Sequence, residues 1–170
     1  MTAEEKYYQK ITLDFITSLV KEEVLKHGYY KPTMIIEGTE GTVCLRIPVF
    51  SDTPAKSTQA MHVLGKGYAK SGEVGKMYQG FAMGKTLMSV HKDTELIKTL
   101  SSQGSNRKEV FVVSSLKIQG QVKSVKLFEI IRNDQGKLVD LQEFLPDIKE
   151  GEMPYIPFLE AFSEGLQMLS

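Results

Sequence analysis

The sequence is poor in cysteine and has no tryptophan. Its only cysteine, Cys44, excludes an intramolecular disulfide and therefore a fold held together by disulfides. A chain of 170 residues does not need such bonds, because a globular domain of this size buries about 70% of its unfolded surface. Cys44 stands between Val43 and Leu45, a setting that predicts a small apolar core residue on a strand rather than a reactive thiol.

The sequence also lacks an excess of charge of either sign. Lysine and arginine number 21, and aspartate and glutamate number 21, so the formal net charge is zero. Domains dedicated to nucleic acids carry clustered basic charge, so no nucleic-acid partner is predicted. No apolar run approaches the roughly 18 residues that span a bilayer, and Glu4 and Glu5 stand where a signal peptide is basic. We therefore predict a cytoplasmic protein without a membrane partner.

The residues that are present indicate a sheet centred on 107–141. Gln119 and Gly120 allow one tight reversal of the chain, and the polar residues 133–136 allow another. Strands joined by tight turns are antiparallel neighbours, so this region is predicted to be a meander. Its strands, rich in β-branched and aromatic residues, are predicted at 110–118, 122–131 and 138–141.

The remaining periodicity predicts a single α+β domain over residues 1–170. Its sheet is mainly antiparallel, with five to six strands, and helices cover its hydrophobic face. The predicted helices are 4–27, 54–71 and 157–169, and the further strands are 33–37, 42–47 and 76–88.

Helix 4–27 carries two adjoining apolar stripes. One contains Tyr8, Ile11, Phe15 and Leu19, and the other contains Leu13, Ile16, Val20 and Val24. So broad a face suits a helix that packs on the sheet and, on its other flank, on another element or a second subunit. We therefore predict self-association through helix 4–27 or the amphipathic helix 157–169, beside the alternative that both serve only the chain's own core.

Helix 54–71 is preceded by Ser51, Asp52 and Thr53, which supply a capping side chain before Pro54. Gly65 and Gly67 lie inside it, and each glycine costs about 1 kcal/mol relative to alanine. The helix is therefore expected only if a neighbouring backbone comes close to these glycines.

Strand 76–88 has one nearly bare side. Gly80, Ala82 and Gly84 alternate along it, and small residues in a row allow a helix or a ligand to lie against the backbone, or mark a bend. Gly84, Lys85 and Thr86 also match the end of a phosphate-binding P-loop. The segment is one residue too short for that loop, so nucleotide binding is not predicted.

Other site motifs fail as well. Aligning Gly136 with the glycine of a calcium loop places Ile131 and Gln142 at ligand positions, which predicts a plain turn. Single histidines carry no ligand spacing, and one cysteine provides no zinc framework. We predict no metal, no cofactor and no catalytic residues. The histidines are His27, His62 and His91.

The block 106–113, followed by 128–141, resembles the C-terminal half of small uncharacterised microbial proteins, including phage-associated ones. The resemblance covers about residues 81–144. It implies that the charged strand start and the two-turn meander form one unit, and it implies no activity.

Two functions follow as hypotheses. The first is a non-catalytic binding or assembly protein that forms a homodimer. The second is a small enzyme or binder acting on an anionic small molecule, with Arg107 or Lys85 holding the anion beside Gly80 and Gly84.

Overall fold

A computed structural model describes residues 11–47, 54–89, 107–144 and 154–168. In these ranges three α-helices and six strands follow one another in the chain. The helices are α1 (Leu13–His27), α2 (Pro54–Ser71) and α3 (Ile156–Gln167). The strands are β1 (Thr33–Gly38), β2 (Thr42–Arg46), β3 (Met77–Ser89), β4 (Arg107–Lys117), β5 (Val122–Arg132) and β6 (Leu138–Phe144).

The six strands form one antiparallel sheet in the order β2-β1-β3-β4-β5-β6. The predicted meander is therefore confirmed, as is the α+β class. Gly120 adopts a φ of 79° in the turn between β4 and β5. Asn133 makes the next turn, because its side-chain oxygen accepts hydrogen bonds from the backbone N–H groups of Gln135 and Lys137.

Helices cover both faces of the sheet, not the single face that the sequence predicted. Phe81 and Met83 pack under α1, whereas their neighbour Ala82 packs under α2 and α3. The same holds in β4, where Val110 and Val112 face one side, and Phe111 the other. Central strands with apolar residues at successive positions bury both faces, so they need a layer on each side.

Helix α1 starts later than predicted. The sequence predicted a helix from residue 4, but Ile11 and Thr12 are not helical, and residues 1–10 lie outside the described part. Thr12 is the N-cap, and its side chain accepts a hydrogen bond from the backbone N–H of Phe15 at 3.1 Å. At the other end, Gly28 has a φ of 78° and ends the helix as the sequence predicted.

Helices α2 and α3 cross at two facing glycines. A Cβ added to Gly65 would meet the backbone of Phe162 and Leu166, and one added to Gly165 would meet the backbone of His62. The expectation of a close backbone at Gly65 is therefore confirmed. A Cβ added to Gly67 would have nothing within 4 Å, so close packing does not explain a glycine at this position.

Two side-chain placements in the sheet differ from prediction. Cys44 is exposed rather than buried, because β2 is an edge strand whose residues alternate between exposed and half-buried. Met77 packs with Ala82 instead of with Phe81. A register shift between Glu37 and Gly38, opposite the start of β3, breaks the alternation there.

Candidate functional site

The bare side of β3 receives the chain's own α3 segment. A Cβ on Gly80 would lie 2.9 Å from the Leu159 side chain, and one on Gly84 would lie 3.0 Å from Cζ of Tyr155. Of the three predicted reasons for the small residues, which are a helix, a ligand or a bend, a helix close to the backbone is the one that the structure shows. Gly80 and Gly84 therefore line packed protein instead of the ligand position suggested from the sequence.

Tyr155 fixes this contact with a hydrogen bond. Its hydroxyl donates to the backbone carbonyl of Lys85 at 3.0 Å. Burial raises the pKa of Tyr155 to about 12, so the hydroxyl remains a donor at neutral pH.

The side chain of Lys85 lies on the other face of the sheet, because neighbouring residues of a strand point to opposite faces. It forms a charge cluster with Glu109 of β4 and Arg132 of β5. Lys85 Nζ lies 3.0 Å from Glu109 Oε1, and Arg132 Nε lies 2.6 Å from Glu109 Oε2. Arg132 Nη2 also donates to Glu109 Oε1 at 3.2 Å. A single carboxylate therefore accepts from two cations.

The two cations keep Glu109 ionised. Hydrogen bonds from Arg132 and then from Lys85 lower the pKa of Glu109 to about 2. The cluster thus carries two positive charges and one negative charge throughout the neutral range. A third hydrogen bond fixes the guanidinium, because Arg132 Nη1 donates to the carbonyl of Gly136 at 3.0 Å.

A small pocket lies beside this cluster, where α1 ends over the sheet. Its volume is about 90 Å³. We call it the Tyr30 pocket. Its lining residues are Val24, Gly28, Tyr29, Tyr30, Lys85, Phe111, Ile130, Arg132 and Leu138.

Tyr30 joins the pocket to the first hairpin. Its ring meets that of Phe111 edge to face, with the centroids 5.8 Å apart. Burial raises the pKa of Tyr30, partly opposed by a hydrogen bond with Thr33. Thr33 in turn accepts from Arg46 at 2.9 Å. The phenol is therefore held in place by neighbours on β1, β2 and β4.

Two larger clefts lie at the opposite end of the sheet, with volumes of about 240 and about 480 Å³. Both include Gly75, Lys76 and Leu166. Each contains one basic side chain, that of Lys76, and no pair of cations. They define no binding chemistry comparable with the Tyr30 pocket.

Apart from the charge cluster, the α1 face of the sheet contains a buried carboxyl group, that of Glu37. Glu37 is only 3% exposed. Its Oε2 accepts a hydrogen bond from Gln79 Nε2 at 2.8 Å, and the same amide donates to the carbonyl of Ile11 at 2.9 Å. Burial raises the pKa of Glu37, with the Gln79 bond acting in the opposite direction.

The other predicted positions are placed as follows. Arg107 begins β4 and pairs with Ser89, four residues along β3 from Lys85, and its side chain lies outside the described part. The P-loop-like residues 80–86 lie within the continuous strand β3. His27 lies 3.2 Å from Glu23, His62 lies on α2, and His91 falls outside the described residues.

Among the residues that the structure describes, no three side chains of His, Cys, Asp or Glu come together in a way that would hold a metal ion. Within the same ranges, no helix has the length and apolar character needed to cross a bilayer.

Comparison with protein-family models, curated proteins and solved structures finds no match to this chain. The resemblance to small microbial and phage-associated proteins therefore stays a prediction.

Sequence reasoning identified Lys85 but missed its partner Arg132 and the aromatic residue Tyr30. The alternation of side chains along β3 was a signal for the position of this site, because it places Lys85 and Gly84 on opposite faces of the sheet. Pairing of β4 with β5 then brings Glu109 and Arg132 to the same end of the sheet. The sequence contains no comparable signal for Tyr30, since it lies between α1 and β1.

Proposed function

We propose that this chain is a non-catalytic binding or assembly protein that forms a homodimer through the outer side of α1. The single observation that carries the proposal is the exposure of Phe15 and Leu19, at 53% and 45%. They lie one turn apart on the same helix face, and we call them the outer stripe.

Phe15 and Leu19 belong to one of the two stripes predicted from the sequence. Of its other members, Ile11 packs against the core on the α1 side, and Tyr8 lies outside the described residues. The other stripe is used inside the chain, because Ile16, Val20 and Val24 are buried against the sheet. Large apolar side chains exposed side by side mark an interaction surface more often than isolated ones do.

Helix α3 has no comparable free surface. Leu159, Phe162 and Leu166 are buried between the sheet and α2. Of the two helices predicted to mediate self-association, α1 therefore has the better geometry.

A second copy of the chain is the partner that this surface suits. Two helices related by a two-fold axis present the same stripe to each other, which is the commonest arrangement in soluble dimers. Completing the burial of Phe15 and Leu19 in both copies contributes on the order of 3 to 6 kcal/mol. Association itself costs at least about 4 kcal/mol, so these two side chains alone leave at most about 2 kcal/mol. A dimer that forms at micromolar concentration requires about 8 kcal/mol, so its contact buries further surface around the outer stripe.

The test is the molar mass of the purified chain in solution, measured by light scattering and by sedimentation across the micromolar range. We expect a monomer–dimer equilibrium in the unaltered chain. Phe15→Glu combined with Leu19→Glu should give a monomer at all concentrations, because it places like charges opposite each other in a two-fold contact. Circular dichroism should show an unchanged fold, since neither side chain belongs to the core.

A matched control is Val63→Glu, which alters a 60% exposed apolar residue on α2. It should leave the equilibrium unchanged. A strict monomer of the unaltered chain contradicts the proposal, as does a dimer that survives the double substitution. The cytoplasmic location stays a prediction from the sequence.

A further inference from the structure

We propose that the Tyr30 pocket binds a small organic carboxylate, whose short apolar body enters the pocket while its carboxylate meets Lys85 and Arg132. The inference goes beyond the dimer and is independent of it, because the outer stripe is not part of the pocket lining. It also moves the anion predicted from the sequence away from Gly80 and Gly84.

The charges at the rim favour an anion. Lys85 and Arg132 share one carboxylate, Glu109, which leaves a net positive charge at the mouth. Within the described part of the chain, Arg132 uses one N–H each from Nε, Nη1 and Nη2, which leaves two of the five N–H groups of a guanidinium. In the same ranges Lys85 uses one of its three.

The position of the guanidinium is already set before a ligand arrives. Glu109 and the carbonyl of Gly136 hold Arg132 from two directions. A fixed arginine loses little side-chain freedom when it binds a carboxylate, which lowers the entropic cost of association.

The lining favours a carboxylate with an apolar body over inorganic phosphate or sulfate. Val24, Phe111 and Leu138 form apolar walls next to the two cations. An inorganic anion would leave these walls without a contact, whereas a short alkyl chain would cover them.

The size of the pocket limits that body. Its volume of about 90 Å³ is well below the roughly 150 Å³ of an engineered cavity that admits benzene. We therefore expect a straight chain of about three or four carbons, of the size of butyrate, and not an aromatic ring or a nucleotide.

The experiment is a titration of the full chain, isotope-labelled for NMR, with sodium butyrate at constant ionic strength. We expect saturable shifts of the backbone signals of Gly28, Phe111 and Leu138. Butanol, which lacks the charge, and inorganic phosphate, which lacks the apolar chain, are the two control ligands. Each should bind at least 10-fold more weakly than butyrate. No saturable shift with butyrate, or phosphate binding as tightly as butyrate, would overturn the proposal.

Variants locate the site. Lys85→Met should weaken butyrate binding at least 10-fold, whereas Lys85→Arg, which keeps the charge, should stay within about threefold of the unaltered chain. Lys108→Met is the matched control. Lys108 is next to Glu109 in β4, but it points to the opposite face of the sheet, where it pairs with Glu129. It should change binding less than twofold. Equal losses in Lys85→Met and Lys108→Met would show general charge attraction and contradict a site at the Tyr30 pocket.

Discussion

The two sides of the sheet are built differently. On the α2 and α3 side, facing glycines bring two helices into backbone contact, and Gly80 and Gly84 let the α3 segment lie on β3. On the α1 side, one helix lies on the sheet, an apolar stripe remains exposed, and charged groups surround a small pocket. The α2 and α3 side is held by contacts between backbones, whereas the α1 side carries the outer stripe and the Tyr30 pocket on which the two proposals rest.

The largest effect on stability should come from disrupting the contact between α2 and α3 at Gly165. A methyl group there meets the backbone of His62 and, at 3.0 Å, the amide nitrogen of Lys66, and backbone cannot move aside cheaply. Gly165→Ala should therefore lower the free energy of unfolding by about 3 kcal/mol or more. Urea denaturation followed by circular dichroism measures this change.

Gly67→Ala on α2 is the control for that substitution. Nothing lies within 4 Å of the added methyl group, so the variant should be as stable as the unaltered chain or up to about 1 kcal/mol more stable. If both alanines have similar effects, the helix crossing does not depend on Gly165 in the way argued.

A smaller effect should come from Glu37 on the α1 side. Its raised pKa means that the folded chain holds the proton more tightly than the unfolded chain. Stability should therefore fall as pH rises from the ordinary value of 4.5 through the raised pKa. Glu37→Gln removes this titration, so its stability relative to the unaltered chain should increase with pH.

Urea denaturation of both chains at a series of pH values measures the difference. If the unfolding free energies of the two chains change with pH in parallel, the Glu37 carboxyl has the same pKa in the folded and the unfolded chain. The sign argued from its burial would then be wrong.

The smallest effect should come from Glu109, which is partly exposed. Its lowered pKa contributes stability that is present above pH 4.5 and lost as pH falls toward about 2. Because water screens the cluster, Glu109→Gln should cost only about 1 kcal/mol at neutral pH. Thermal unfolding at neutral and acidic pH measures it.

Glu129→Gln is the control, since Glu129 pairs with one lysine instead of two cations. It should cost less than Glu109→Gln. An equal or greater cost would show that the shared carboxylate gives the α1 side no special stability.

Predictions from the sequence succeeded where neighbouring residues decide the outcome. The turn after Gly120 and the turn made by Asn133 follow from local backbone preference, and so does the end of α1 at Gly28. The requirement for a close backbone at Gly65 also followed, because a glycine inside a helix needs a reason.

Predictions failed where the outcome depends on distant parts of the chain. Cys44 is exposed because β2 ends up at the edge of the sheet, which its own residues do not encode. Met77 changes sides because of a register shift in its pairing with β1. One conflict was local instead, because strand alternation places Lys85 on the face of β3 opposite to that of Gly80 and Gly84.

The sequence by itself determined the antiparallel meander, the extents of α2 and most of the strands, and the two-stripe character of α1. Turn residues and side-chain periodicity act over a few positions, so they can be interpreted without knowing the rest of the chain. Only the tertiary structure decided the strand order, the second covered face and the meeting of Lys85, Glu109 and Arg132 beside Tyr30. Those features arise from packing between segments far apart in sequence, and that packing is set by the whole core at once.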